Sequence, residues 1–210
     1  IERFAGMMLE LQRRGVHNIN FVTPTHFVPQ ILDAVDRGAA QGLSIPLVYN
    51  TSGYESLTTL QWLDGVIDVW LPDAKYDSNS VARKLSGFTY YVERNREALR
   101  EIYRQVGSDL VVDEDGIARR GMIIRHLVLP NDLGQTSAIL RWIATGLDPA
   151  VHVSLMDQYF PAYRVIDDPD LGRKISEAEY DVALEAFELA GLQNGWLQEH
   201  DENCTTDPEP

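Results

Sequence analysis

The feature that most constrains this 210-residue chain is a regular alternation of short apolar runs with amphipathic segments. Apolar runs read as strands at 18–22, 45–50, 66–71, 122–129 and 151–156. Between and after them, the apolar positions recur at helical spacing over 28–41, 55–63, 80–106 (with a break expected near Gly87), 136–145 and 177–190. The last helix has a capping box, Ser176 with Glu179, and Gly191 just past its end. Strands that alternate with helices pair in parallel through right-handed crossovers, so the fold class is α/β. A parallel sheet can stay open and doubly wound, or it can curl. The polar residues favour curling. Each strand ends in a polar cluster: Thr23-Pro24-Thr25-His26, Asn50-Thr51-Ser52, Asp73-Ala74-Lys75, Asn131-Asp132 and Asp157-Gln158-Tyr159. In a (β/α) barrel such ends converge on one mouth, which makes a single shared site the economical expectation.

Three segments depart from the rhythm. The opening IERFAGMMLELQRRG places Phe4, Met7, Met8 and Leu11 on one helical stripe and stops at Gly15. It begins without a capping residue, so the N-terminus is expected to be a cut inside a longer pattern. Residues 109–121 read as a turn or hairpin around Asp115-Gly116. From Asp201 the chain is polar and acidic, so the expected organisation is one domain over 1–200 and a disordered tail over 201–210.

Composition bounds the partners. A formal charge of −14 repels a nucleic-acid backbone unless a basic patch opposes it. The densest basic stretch, Arg94 to Arg104, is interleaved with Glu93, Glu97 and Glu101, as on a solvated helix face laced with ion pairs. No apolar run approaches the roughly 20 residues that span a bilayer, and no export signal opens the chain. The expectation is no nucleic acid, no membrane and a cytoplasmic location. The lone Cys204 excludes a disulfide framework.

Asp73 and Lys75 stand two apart and share a strand face. Lys75 could bind a carboxylate as a cation, attack a carbonyl as a desolvated amine, or close the barrel top in an ion pair with Asp73. Asn50, Thr51, Ser52 and Gly53 offer amide and hydroxyl groups to a ligand, or form a plain turn. Thr25 or His26 could meet a ligand or cap the next helix. Arg125 and His126 alternate sides of a strand, so at most one faces the lumen. His152, Ser154, Met156 and Gln158 form one face of the last strand in this reading. No paired metal-ligand spacing joins the five histidines.

The segments NINFVTPTHFVPQIL, IPLVYNTSGYE, LDGVIDVWLPDAKY, YRQVG, RRGMIIRHLVLPN and VSLMDQYFPAYR together resemble a bacterial and archaeal family of radical S-adenosylmethionine proteins. That family is described as similar to pyruvate formate-lyase activating enzyme. The resemblance implies a partial (β/α)6 TIM-like barrel of the radical SAM type, here missing the first strand and its cysteine-bearing loop. It implies S-adenosylmethionine contacts at Thr23, Thr25, His26, Asn50, Thr51, Ser52, Asp73, Lys75, Arg125 and Gln158. Asn50-Thr51 replaces an Asp-Thr pair that in relatives helps hold a monovalent cation, and Gln158 and Tyr159 stand where relatives contact the ribose. In the intact parent a 4Fe-4S cluster would reduce S-adenosylmethionine to a 5′-deoxyadenosyl radical, and an activase would take hydrogen from a glycyl radical enzyme as its protein substrate. One cysteine cannot supply the several thiolates of a cluster. This chain is therefore expected to be an inactive fragment that keeps the cofactor pocket. The alternatives are a cluster-less binding or scaffold barrel, and a Schiff-base lyase using Lys75.

Overall fold

A computed structural model describes residues 1–197. His200, Cys204 and the expected tail lie outside the described residues. The strands are β1 (Ile19–Val22), β2 (Leu47–Thr51), β3 (Val69–Pro72), β4 (Val111–Val112), β5 (Ala118–Leu127), β6 (His152–Met156) and β7 (Asn194–Leu197). The helices are α1 (Glu2–Arg13), α2 (Val28–Ala39), α3 (Leu57–Trp62), α4 (Asn79–Ser86), α5 (Tyr91–Val106), α6 (Thr136–Gly146) and α7 (Glu177–Ala190). Six strands pair in parallel in the order β1-β2-β3-β5-β6-β7, and β4 pairs with β5 alone. β1 and β7 do not meet, so the sheet is an open partial barrel.

Several boundaries follow from the local sequence. Gly87 breaks the long helical pattern by adopting φ 71, which separates α4 from α5. The hairpin at Asp115-Gly116 is β4 turning into β5 in antiparallel pairing. This explains why β5 starts at Ala118, earlier than its apolar run. The capping box of α7 forms as its sequence predicts.

Four expectations are corrected. A sixth parallel strand, β7, was not anticipated, because NGWL is short, contains glycine and has no alternation to read. On α1 the buried residues are Ala5 and Met8, while Met7 is 56% exposed and Leu11 lies at the solvent edge. The helix has turned the expected stripe by about one position. No side chain caps α2: a 3-10 turn over Thr25–Phe27 leads into it instead. β6 ends at Met156, so Gln158 lies beyond the strand face assigned to it.

The two faces of the sheet differ. Phe21, Tyr49, Trp70, Met122, Ile124 and Val153 are buried with Leu60, Leu99, Ile102, Ile139 and Leu140 of the helices in one core. Alternation puts Asn50, Leu71, Arg125, His152, Ser154 and Met156 on the opposite, lumenal face, where burial is partial. Among the described residues, no helix is long and apolar enough to cross a membrane.

Candidate functional site

Strand register arranges the lumenal side chains in rows. Val22, Asn50, Leu71, Ile123, His152 and Asn194 occupy one level across six strands. The next level toward the mouth carries Asp73, Arg125, Ser154 and Trp196. Arg125 therefore faces the lumen. His126 points the other way and is fully buried.

Asp73 is the centre of the charged part. One carboxylate oxygen accepts from Arg125 Nη2 at 2.6 Å, and the other meets Lys75 Nζ at 2.7 Å. One carboxylate thus holds two cations at the mouth. Arg125 Nε is buried without a hydrogen-bond partner. A group that pays to desolvate a donor without pairing it is one that an incoming acceptor can complete.

The backbone around Asp73 is pinned. Its N–H donates to the Thr51 carbonyl at 2.9 Å, and its carbonyl accepts from Asn95 Nδ2 at 2.8 Å. The Tyr91 hydroxyl accepts from Lys75 N–H at 2.9 Å and donates to the Ser52 carbonyl at 3.3 Å. Burial pushes the Tyr91 phenol far above its usual range, so it stays a donor. Gly53 makes this approach possible. At φ 70, a Cβ there would lie 2.2 Å from the Asp73 carbonyl oxygen and 2.3 Å from Asn95 Nδ2.

Behind the strand ends sits a second polar group. Glu55, 3% exposed, accepts through Oε1 from the Thr25 and Thr51 hydroxyls, each at 2.6 Å, and from Tyr49 OH at 3.4 Å. Its Oε2 has no partner. Burial and then the Glu55 charge push the Tyr49 phenol up, which keeps it protonated. His126 ties the Asp73 loop to α6. Its Nδ1 lies 2.6 Å from the Ala74 carbonyl, which can only accept, so Nδ1 carries the proton. Its Nε2 then accepts from Thr136 Oγ1 at 2.9 Å. Burial depresses the His126 pKa, which keeps the ring neutral.

The sequence-predicted residues divide accordingly. Asn50, Asp73 and Arg125 share the lumenal face, Ser52 ends the β2 turn beside them, and Lys75 reaches back to Asp73. Thr51 is buried on the helix side and Thr25 is exposed, and the hydroxyls of both donate to Glu55. His26 is exposed, its ring 4.4 Å from that of Phe27, while Thr23 and Gln158 are exposed at the rim. Sequence reasoning missed Glu55, Tyr91, Asn95 and Trp196. Glu55 precedes Ser56, the cap of α3, and reads as an ordinary acidic helix start. Nothing in its neighbourhood signals burial.

Lys75 and Arg125 offer cations to an incoming carboxylate, and Asn50 and Ser52 offer polar groups beside them. They do not fit an iron–sulfur cluster. No group of three His, Cys, Asp or Glu able to hold a metal exists among the described residues, and the sequence has one cysteine.

No protein-family model matches the chain. It is 34% identical over 181 residues to an uncharacterised protein of Methanocaldococcus jannaschii, covering 83% of this chain and 47% of that protein. The chain thus spans about half the length of that curated relative. Among solved structures, it superposes on a domain of pyruvate-formate lyase-activating enzyme from Bacteroides vulgatus with a TM-score of 0.59 at 14% identity, covering 87% of this chain and 98% of that one. Methylornithine synthase gives 0.59 at 14% identity over 91% of this chain and 53% of that one. The FeFe-hydrogenase maturase HydG gives 0.59 at 10% identity over 95% and 45%. These neighbours are radical S-adenosylmethionine enzymes, and the chain has their fold.

Proposed function

We propose that this chain is the S-adenosylmethionine-binding portion of a radical S-adenosylmethionine enzyme whose cluster ligands lie outside these 210 residues. The observation that carries the reading is the Asp73 carboxylate held between Lys75 and Arg125 at the barrel mouth, with an unpaired buried Arg125 N–H. In this reading Lys75 and Arg125 receive the ligand carboxylate, and Asn50 and Ser52 orient its polar groups. Asp73 fixes both cations in place. When reduced by one electron, S-adenosylmethionine supplies the hydrogen-abstracting fragment; the chain contributes position and exclusion of water.

The lumen must also admit a substrate. Phe27, Phe160 and Tyr163, which follow the ends of β1 and β6, stand exposed. Such a rim supports the activase-like variant, in which a segment of a partner protein enters the barrel. The lyase variant gains no support, because Schiff-base attack needs a free amine and the Lys75 ammonium is paired with Asp73 at 2.7 Å.

Isothermal titration tests the seat directly. S-adenosylmethionine should bind, and Lys75→Ala or Arg125→Ala should weaken it at least about tenfold, the effect of losing a charge-assisted hydrogen bond. Decarboxylated S-adenosylmethionine should bind the unmodified protein as weakly as the natural compound binds those variants. Equal affinity for the two compounds would remove the assignment.

A further inference from the structure

α7 carries apolar side chains on two faces. Tyr180, Ala183, Ala186 and Phe187 are buried. On the outer side Ala178, Val182 and Leu189 recur at i, i+4 and i+11, which places them along one exposed stripe. Val182 is 64% exposed and Leu189 81% exposed. An apolar arc that continues past the buried side chains is normally covered along its whole width, and among the described residues Val182 and Leu189 stay exposed.

The stripe runs beside a hollow. The small side chains of Ala178, Ala183 and Ala186 on α7 leave a cavity of about 280 Å³ against Leu129, Thr136 and Ser137. Its walls are mainly apolar. A single bulky apolar side chain from outside would bury itself there, as interface anchors do.

Charge selects what could bring that side chain. The exposed positions along one edge of the stripe are Glu177, Asp181, Glu185 and Glu188, and α7 contains no lysine, arginine or histidine. The whole chain carries −14. A second copy would set these carboxylates against its own, whereas a basic segment would neutralise them.

We propose that the outer face of α7 and the α6–α7 hollow form a docking groove for a basic amphipathic helix of a partner protein. The partner helix presents apolar anchors at i, i+4 and i+7, one of them seated in the hollow, with lysine or arginine on its flanks. This surface lies on the outer side of the barrel wall and does not depend on the ligand assigned to the mouth.

The test uses a synthetic helical peptide with leucine and phenylalanine anchors at that spacing and lysine flanks. A second peptide carries glutamate in place of every lysine. Fluorescence anisotropy against the full chain should show saturable binding of the basic peptide only. Val182→Asp and Leu189→Asp should each weaken it at least about tenfold while leaving the far-ultraviolet circular dichroism and Tm unchanged, since both side chains already face water. Binding by the acidic peptide, or unchanged binding by both variants, would overturn the proposal. So would sedimentation of the unmodified protein as a dimer that Leu189→Asp converts to monomer, which would assign the face to a second copy.

Discussion

Asp73, Gly53 and Glu55 show how single side chains fix the mouth. Gly53 lets the β2 turn approach the Asp73 carbonyl, so Gly53→Ala must either push that loop away or abandon φ 70. The left-handed conformation alone costs about 1–2 kcal/mol with a side chain. We expect a lower urea midpoint, together with weakened S-adenosylmethionine binding because Asp73 moves. A variant that loses stability but binds as before would separate Gly53 from the site. Thr51→Val removes one of three hydroxyls holding the buried Glu55 carboxylate. Hydrogen bonds to charged groups contribute about 1.5–3 kcal/mol, and chemical denaturation should read a loss in that range. A change below about 0.5 kcal/mol would mean that Glu55 is not held as a charge. Asp73, Lys75 and Arg125 were legible in the sequence because polar residues at strand ends are conspicuous in an apolar run. Glu55 was not, because burial of an acid beside a helix cap depends on chain segments 30 residues away.

At the scale of elements, local chemistry dominated where it was complete. α7 begins at a capping box in which Ser176 Oγ accepts from Glu179 N–H and the Glu179 carboxylate accepts from Ser176 N–H. Ser176→Ala should lower stability by about 1 kcal/mol, the usual cost of a lost cap. Thermal unfolding checks it; an unchanged Tm would show that packing against α6 holds the helix without its cap. The strands β1, β2, β3, β5 and β6 and the paired helices α4 and α5 were readable from period and from Gly87. β7 was not readable. Four residues, one of them glycine, have no pattern strong enough to specify a strand, and they become one by pairing with the exposed edge of β6. The exposed Met7 has the same origin. Periodicity gave a face to α1, but its rotation follows from packing against α2 and Phe21.

For the whole molecule, two buried or clamped groups set the response to acid. Burial depresses the His126 pKa, so between the folded value and about 6.5 the unfolded chain binds a proton that the folded chain does not. Stability should fall as pH drops through about 6.5. The Arg173 guanidinium, with backbone N–H groups of Asn131 and Ser176, holds the Glu179 carboxyl far below its ordinary range. Its contribution is present above about 4.3 and lost as pH falls below that. Calorimetry should therefore show Tm declining in two stages on acidification, and Glu179→Gln should flatten the lower one. A Tm constant from about pH 7.5 to 5 would contradict the upper stage. Taken by itself, the sequence determined the α/β class, the parallel pairing and a polar end on each of the five strands it revealed, because alternation and capping are local and each of those segments carries its own signal. Tertiary structure alone decided which of two neighbours faces the lumen, that Arg125 and Lys75 share one carboxylate, that Glu55 is buried, and that Val182 and Leu189 of α7 are exposed among the described residues. Those outcomes depend on register and on packing between segments far apart in the chain, and no local pattern encodes either.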